Sequence, residues 1–225
     1  MEERALNPEI VVSGDGSHTL KMQHFDEHYH SHKGAIQESR HVFINMGLNP
    51  KTHLDSIRIL EVGFGTGLNA LLTAVNEPTT NIHYTALEAF PLPAVLTNKL
   101  NYPTLLDHKE ALNLFNQIHE AEWNKPIAIN PHFTLEKHEV GFEAFATQER
   151  FDLIYYDAFA PNVQPELWQP SIWEKLHGLM AAGGVLVTYC AKGQVRRDMQ
   201  AAGFSTERLP GPPGKNEMLR VTKTL

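Results

Sequence analysis

The spacing of apolar and polar positions divides the chain near residue 56. Residues 1–55 are polar and rich in histidine, with a turn signal at Ser13-Gly-Asp-Gly-Ser17. They predict a small N-terminal extension of short strands and one helix, Lys33–Leu48. Beyond it, short apolar runs alternate with stretches of helical period. Ile57–Val62, Ile82–Leu87, Phe151–Tyr156 and Gly184–Cys190 read as strands, and His132–Val140 alternates like another. Between them Leu68–Val75, Pro91–Leu100, Asp107–Glu122 and Glu166–Ala182 read as helices, and Gln194–Ala202 as a helix closed by Gly203. Phe204–Leu209 and Met218–Lys223 predict a terminal hairpin around a Gly/Pro loop. Strands alternating with helices imply an α/β fold over residues 56–225. Its sheet is expected to be mostly parallel and doubly wound, with a C-terminal antiparallel strand pair at one edge.

Composition narrows the class. Of 225 residues, 42% are apolar and 20% charged, as in an ordinary soluble globular protein. The single cysteine, Cys190, ends an apolar run and reads as a core thiol. One cysteine allows no internal disulfide, which fits a reducing cytoplasm. The charged start, Met1–Arg4, is followed by no apolar leader segment, and no run approaches a membrane span. Cytoplasmic localisation and no membrane partner are therefore expected.

The net charge of −7 argues against a nucleic-acid partner, but its distribution does not. From Lys192 onward there are seven Lys/Arg and three Asp/Glu, a balance of +4, against −11 for the remainder. Two readings stay open: chance clustering on a solvated face, or a basic rim beside an active site.

The strongest chemical signal is Glu61-Val-Gly63-Phe-Gly65-Thr66-Gly67-Leu-Asn69, between a predicted strand and a predicted helix. Glycines let a backbone turn tightly and approach a ligand. Ligands of open α/β sheets lie beyond the carboxyl ends of the strands. A dinucleotide fingerprint would put its third glycine where Leu68 stands. The observed Gly-x-Gly-x-Gly, preceded by an acid, instead resembles the turn of class I S-adenosylmethionine methyltransferases. A plain strand-to-helix turn is the alternative. Glu88 ends the second strand, about twenty positions on, where a carboxylate can accept both ribose hydroxyls of a nucleoside. A solvated strand end is the competing reading.

Asp157 ends the fourth strand, in Tyr155-Tyr156-Asp157-Ala-Phe159-Ala-Pro161. A carboxylate there can orient an acceptor amine and take its proton, since the acceptor must present a free lone pair. It could also merely cap a turn. His28, His30 and His32 alternate and would share one face of a strand, but no cysteine or His-Glu-x-x-His pattern accompanies them. No metal is expected.

Together these motifs resemble the tRNA 5-methylaminomethyl-2-thiouridine methyltransferase family. The match is carried by Tyr29-His-Ser31-x-x-Gly34-Ala-x-x-Glu38-Ser-x-His41-Val-Phe43, the glycine turn, and Asp157-Ala-Phe159-Ala-Pro161 with Pro165-Glu-Leu-Trp168. Val195-Arg196-Arg197 with Ala202-Gly-Phe204, and Gly211-x-x-Gly214-Lys215-x-Glu217-Met-Leu219, complete it. The resemblance runs from about Ser13 to the end.

It implies a Rossmann-like class I methyltransferase domain over 56–225, S-adenosylmethionine as cofactor and tRNA as partner. The expected reaction is N-methylation of the 5-aminomethyl group of (2-thio)uridine at the wobble position. It implies a stand-alone form without the flavin-dependent oxidase domain, supplied with aminomethyl-uridine tRNA by a separate enzyme. Cofactor contacts are expected from Glu61, Gly63, Gly65, Thr66, Gly67, Asn69, Glu88 and Asp157, with Asp157 also catalytic. Substrate contacts are expected from Tyr29, Ser31, Glu38, Phe159, Arg196 and Lys215. The chain departs from the family after the third strand. An expected Gly-Asp near the adenine is replaced by His138-Glu139-Val140-Gly141-Phe142, so either Glu139 substitutes for the acid or that contact is absent. Two other functions stay open: an amine-alkylating enzyme of the spermidine synthase type, and a non-catalytic cofactor- or RNA-binding module.

Overall fold

The structure is a computed structural model and describes residues 8–22, 27–76 and 80–224. Three short strands, β1 (Glu9–Val12), β2 (His18–Met22) and β3 (Glu27–His28), form an antiparallel sheet of their own. The Ser13–Ser17 turn joins β1 to β2 and also caps a helix, α1 (Ala35–Ser39). The amides of Ala35, Ile36 and Gln37 donate to Ser13 Oγ (3.1 Å), Ser17 Oγ (3.3 Å) and Asp15 Oδ2 (2.9 Å). These amides lie in the first turn, where a helix cannot satisfy its own donors. From Arg40 to Leu48 the helix continues with a wider π winding. A Cβ on Gly47 would stand 3.0 Å from Val187 Cγ2, so glycine lets this segment lie close on the sheet.

The chain then alternates as its periodicity predicts. The elements are β4 (Ser56–Val62), α2 (Leu68–Val75), β5 (Asn81–Glu88), α3 (Ala94–Thr97), α4 (Tyr102–Leu105) and α5 (Ala111–Glu120). Next come β6 (Pro126–Asn130), β7 (Phe133–Glu139), β8 (Phe151–Tyr156), α6 (Pro170–Leu179), β9 (Met180–Thr188), α7 (Gly193–Ala201), β10 (Phe204–Pro210) and β11 (Glu217–Lys223). The second sheet runs β10-β11-β9-β8-β4-β5-β7-β6. Its five central strands are parallel, and β6, β11 and β10 each pair antiparallel with the neighbour inside them. The strand order reverses at β4, which pairs with β5 on one side and β8 on the other. That reversal opens a crevice at the carboxyl ends.

Helices cover both faces. One core cluster joins Phe43, Ile57, Leu71, Phe115 and Leu135; the other joins Val62, Ile154, Trp173, Leu186 and Met199. Leu20 and Ala35 belong to the first, so the N-terminal extension shares the core of the larger sheet. Cys190 is buried. Among the described residues no helix is long and apolar enough to cross a membrane.

Three predicted helices are shorter than their patterns. The 166–182 stretch breaks at Gln169, which is extended (ψ 155°) because the following Pro170 disfavours a helical residue before it. Its end, Met180–Ala182, is the start of β9. The helix predicted from Pro91 begins only after Pro93, and α5 begins at Ala111 rather than Asp107. Strand β6 was not anticipated; it is short and opens on a proline, which is tolerated at the start of an edge strand.

Candidate active site

The turn after β4 is shaped by contacts on both sides. Gly63, Gly65 and Gly67 have φ of +93°, +50° and +73°. The Gly63 and Phe64 amides donate to Leu87 O at 3.1 and 3.0 Å, and the Gly65 amide donates to Glu88 Oε2 at 2.9 Å. The end of β5 therefore holds the turn. A Cβ on Gly63 would stand 2.7 Å from Asp157 O, and one on Gly65 would stand 3.2 Å from the Tyr29 ring. Neither position has room for a side chain.

In front of the turn lies a cavity of about 1350 Å³. Of the residues expected from sequence, Gly63, Gly65, Thr66, Asn69, Glu88, Asp157, Tyr29, Ser31, Glu38, Phe159 and Lys215 all line it. Segments from both ends of the chain thus meet the cofactor turn. Tyr29 packs edge-on against Phe159, with ring centroids 5.0 Å apart. The Asp157 amide donates to Val62 O at 3.0 Å, and Asn69 Nδ2 donates to Asp157 Oδ2 at 2.9 Å.

Three expected residues are not on the wall. Glu61 is fully buried beneath it because β4 is covered on both faces at that point. Burial, reinforced by the charge of Asp157, pushes its carboxyl well above the ordinary range. Gly67 starts α2 and packs behind the turn, where a Cβ would stand 3.0 Å from His119 Nε2. Arg196 lies on α7 away from the cavity, its Nε buried with no hydrogen-bond partner among the described residues. Glu139 is exposed at the end of β7 and not on the cavity wall, which is lined there by Val140, Gly141, Phe142 and Glu143. Glu143 is the acid on that wall, close enough that a Cβ on Gly141 would stand 3.3 Å from its Oε2.

The sequence also gave no reason to single out Tyr189 or Phe90. Tyr189 looked like part of an apolar strand, yet it lines the cavity and its hydroxyl donates to Ala158 O at 2.8 Å. The three alternating histidines do not share a strand, because β3 stops at His28. All three line the cavity, and burial lowers His30 to about 4. Among the described residues no group of His, Cys, Asp and Glu could hold a metal ion.

Burial, with a contribution from Glu38, raises Asp157 to about 7 against the opposing Asn69 hydrogen bond and Lys215 charge. Burial also raises Glu88, although the amides of Phe90, Gly65 and Ala89 favour its charged form. The site thus offers a backbone cradle, a carboxylate on the neighbouring strand end and a carboxyl group poised near neutrality. Asn69 Oδ1 is buried with no hydrogen-bond partner among the described residues, an acceptor left over at the cradle. A nucleoside bearing an amino-acid tail fits these features: a closely approaching glycine turn and a spare acceptor for the tail, and an acid for the ribose.

A family model described as S-adenosyl-L-methionine-dependent methyltransferase matches residues 130–224. Two curated relatives carry the name tRNA 5-methylaminomethyl-2-thiouridine biosynthesis bifunctional protein MnmC. The one from Leptospira borgpetersenii is 31% identical over 208 residues, covering 87% of this chain and 32% of its own length. The one from Cupriavidus metallidurans is 29% identical over 232 residues, covering 96% and 34%. The chain therefore spans about a third of the curated relatives it matches. The crystal structure of MNMC2 from Aquifex aeolicus superposes with a TM-score of 0.80 at 23% identity, covering 99% of this chain and 72% of that one. Human methyltransferase-like protein 13, solved with SAH, shares the fold at a TM-score of 0.51 and 13% identity, covering 84% and 82%.

The fold is that of class I methyltransferases, and the family model matched over residues 130–224 describes S-adenosylmethionine-dependent ones. Aromatic, acidic and basic groups from both chain ends line the same cavity. Over most of its length the chain is similar to proteins named MnmC.

Proposed function

We propose that the protein methylates the exocyclic primary amine of 5-aminomethyl(-2-thio)uridine at the wobble position of tRNA. The observation that carries this reading is Asp157, which reaches the cavity from the end of β8, is tied to Asn69 and titrates near neutrality. A protonated acceptor amine cannot attack. A carboxyl of pKa about 7 is well matched to take its proton at neutral pH.

Gly63 and Gly65 would admit the amino-acid tail of the cofactor, with Thr66 and Asn69 beside it. Glu88 would hold the ribose while bracing the turn through the Gly65 amide. Glu143, rather than Glu139, would face the adenine side. Glu61 would support the turn from below without touching the cofactor. When bound, S-adenosylmethionine supplies an electrophilic methyl on a sulfonium. The protein's part is to exclude water, to align the amine and to accept one proton on an Asp157 oxygen; alignment alone can contribute roughly 7–11 kcal/mol. Tyr29 and Phe159 offer aromatic surface for the extruded base, as proteins commonly do for unpaired bases in RNA loops. The tRNA would arrive already carrying the aminomethyl group, made by a separate enzyme.

Mass spectrometry of nucleosides from tRNA that bears 5-aminomethyluridine, after incubation with S-adenosylmethionine, tests the proposal. One added methyl group on that nucleoside is expected. Methylation of putrescine but not of tRNA would overturn it, and so would cofactor binding without any transfer.

A further inference from the structure

The acceptor side of the cavity already holds a cation. Lys215, carried by the loop between β10 and β11, points inward rather than toward the rim. Its Nζ lies 2.7 Å from Glu38 Oε1 and 3.9 Å from the centroid of the Tyr189 ring. Glu38 is only 6% exposed, and its other oxygen accepts from the Ser31 amide at 2.6 Å. Tyr189 is fixed by its hydroxyl on Ala158 O, the carbonyl next to Asp157 in sequence. A fixed carboxylate beside the face of an aromatic ring is the chemistry that recognises an alkylammonium group.

The seat has a reason never to be empty. A buried carboxylate stripped of its counter-charge is costly, so a cation must remain beside Glu38. Lys215 supplies one from a closely packed loop. A Cβ on Gly211 would stand 2.4 Å from Lys215 O, and one on Gly214 would stand 2.7 Å from Lys33 Cγ. Exchanging one primary ammonium for another preserves the charge balance. An acceptor without an amine could not make that exchange.

We propose that Glu38 and Tyr189 form the recognition seat for the acceptor's ammonium, and that Lys215 is a placeholder displaced when the acceptor enters. Glu38 is then a specificity-determining residue, while Asp157, on the same cavity, receives the proton. This rests on the acceptor being a primary amine, as proposed above.

The test compares binding of two tRNAs to the full chain in the presence of S-adenosylhomocysteine. One carries 5-aminomethyluridine at the wobble position and the other carries unmodified uridine. The wild type is expected to prefer the first by roughly tenfold or more, the scale of a hydrogen bond to a charged group. Glu38→Gln retains size and an acceptor for the Ser31 amide, and should bring the ratio to about one without weakening the unmodified tRNA. Lys215→Met removes the competitor and should raise the ratio. A preference that survives Glu38→Gln overturns the seat. A ratio that falls in Lys215→Met overturns the placeholder and makes Lys215 a direct contact. If the wild type shows no preference yet methylates the first tRNA, the seat alone fails. If it neither prefers nor methylates that tRNA, the functional proposal fails instead.

Discussion

Asn69 donates its side-chain amide to Asp157 at 2.9 Å, tying the first turn of α2 to the end of β8. The helix launched by the glycine turn thereby fixes a carboxylate on the cavity wall.

Burial sets the pH dependence of Asp157, and that bond opposes it. Asp157 titrates at about 7 when folded, above its ordinary 3.8, so its protonated form is the one folding favours. Its stabilising contribution is present below the ordinary value and is lost as pH rises through about 7. Proton acceptance needs the other form, so kcat/KM should rise with pH through about 7. Asn69→Ala removes a hydrogen bond that favours the carboxylate and should move that limb to higher pH. Asp157→Ala should lower turnover at least ~100-fold. Asp157→Asn should lose as much if proton acceptance matters and less if orientation alone does. An unmoved limb in Asn69→Ala would sink the assignment.

The cradle makes a sharper prediction for Gly65 than a motif alone could. Its φ of +50° and the Tyr29 ring 3.2 Å from any Cβ leave no place for a branched side chain. Gly65→Val should abolish S-adenosylmethionine binding in calorimetry while the far-ultraviolet dichroism stays native. Glu88→Ala should weaken binding by roughly 1.5–3 kcal/mol, and Glu88→Gln by less, because one oxygen can still accept from the Gly65 amide.

His119 braces the turn from behind. Its Nε2 lies 3.2 Å from Thr66 O, and burial together with the nearby Lys137 charge lowers its pKa to about 4. It is therefore neutral near pH 7. Lys137, itself 1% exposed, donates to the carbonyls of Ile118 and His119 and so holds the end of α5. His119→Phe should raise the cofactor dissociation constant about 3–10-fold, the scale of one neutral hydrogen bond, and His119→Gln should recover most of it. Equal effects of the two substitutions would reduce His119 to packing.

Asp15 governs the N-terminal wall. Burial opposes its charge, but hydrogen bonds from Ser17, the Gln37 and Ser17 amides and Ser13 outweigh that and lower its pKa. Its stabilising contribution is present above the ordinary value and is lost as pH falls through the lowered one. Asp15→Ala should cost about 0.5–2 kcal/mol in chemical denaturation at neutral pH, as a lost helix cap does, and should lessen acid sensitivity.

For the basic rim the structure separates residues that the sequence grouped. Lys192 is exposed and Arg196 has its Nε buried. If tRNA phosphates contact this rim, Lys192→Ala should reduce the magnitude of the salt slope of tRNA binding by roughly 0.7–0.9, and Arg196→Ala should affect stability instead. Identical slopes for Lys192→Ala and wild type would move the RNA surface toward His28 and His32.

What the sequence determined by itself was whatever depends on local period and local sterics. The apolar runs specified β4, β5, β8 and β9. The Gly-x-Gly-x-Gly spacing specified a turn that only glycine can make, and position at strand ends marked Glu88 and Asp157 as facing one crevice. Only the tertiary structure decided what depends on partners distant along the chain. Pro126 opens an edge strand because β7 offers an unpaired side. Glu61 reads like a ligand-binding acid but is fully buried beneath the wall, while Glu143, and not Glu139, reaches the cavity. Ser13, Asp15 and Ser17 read as a turn and prove to be a helix cap, because α1 lies some twenty residues away in sequence but within hydrogen-bonding distance in space. Lys215 read as one cation of a basic C-terminal stretch, yet its ammonium sits on Glu38, 177 positions away. Periodicity records which face of an element is buried; which charges meet there is set by the packing of segments from opposite ends of the chain.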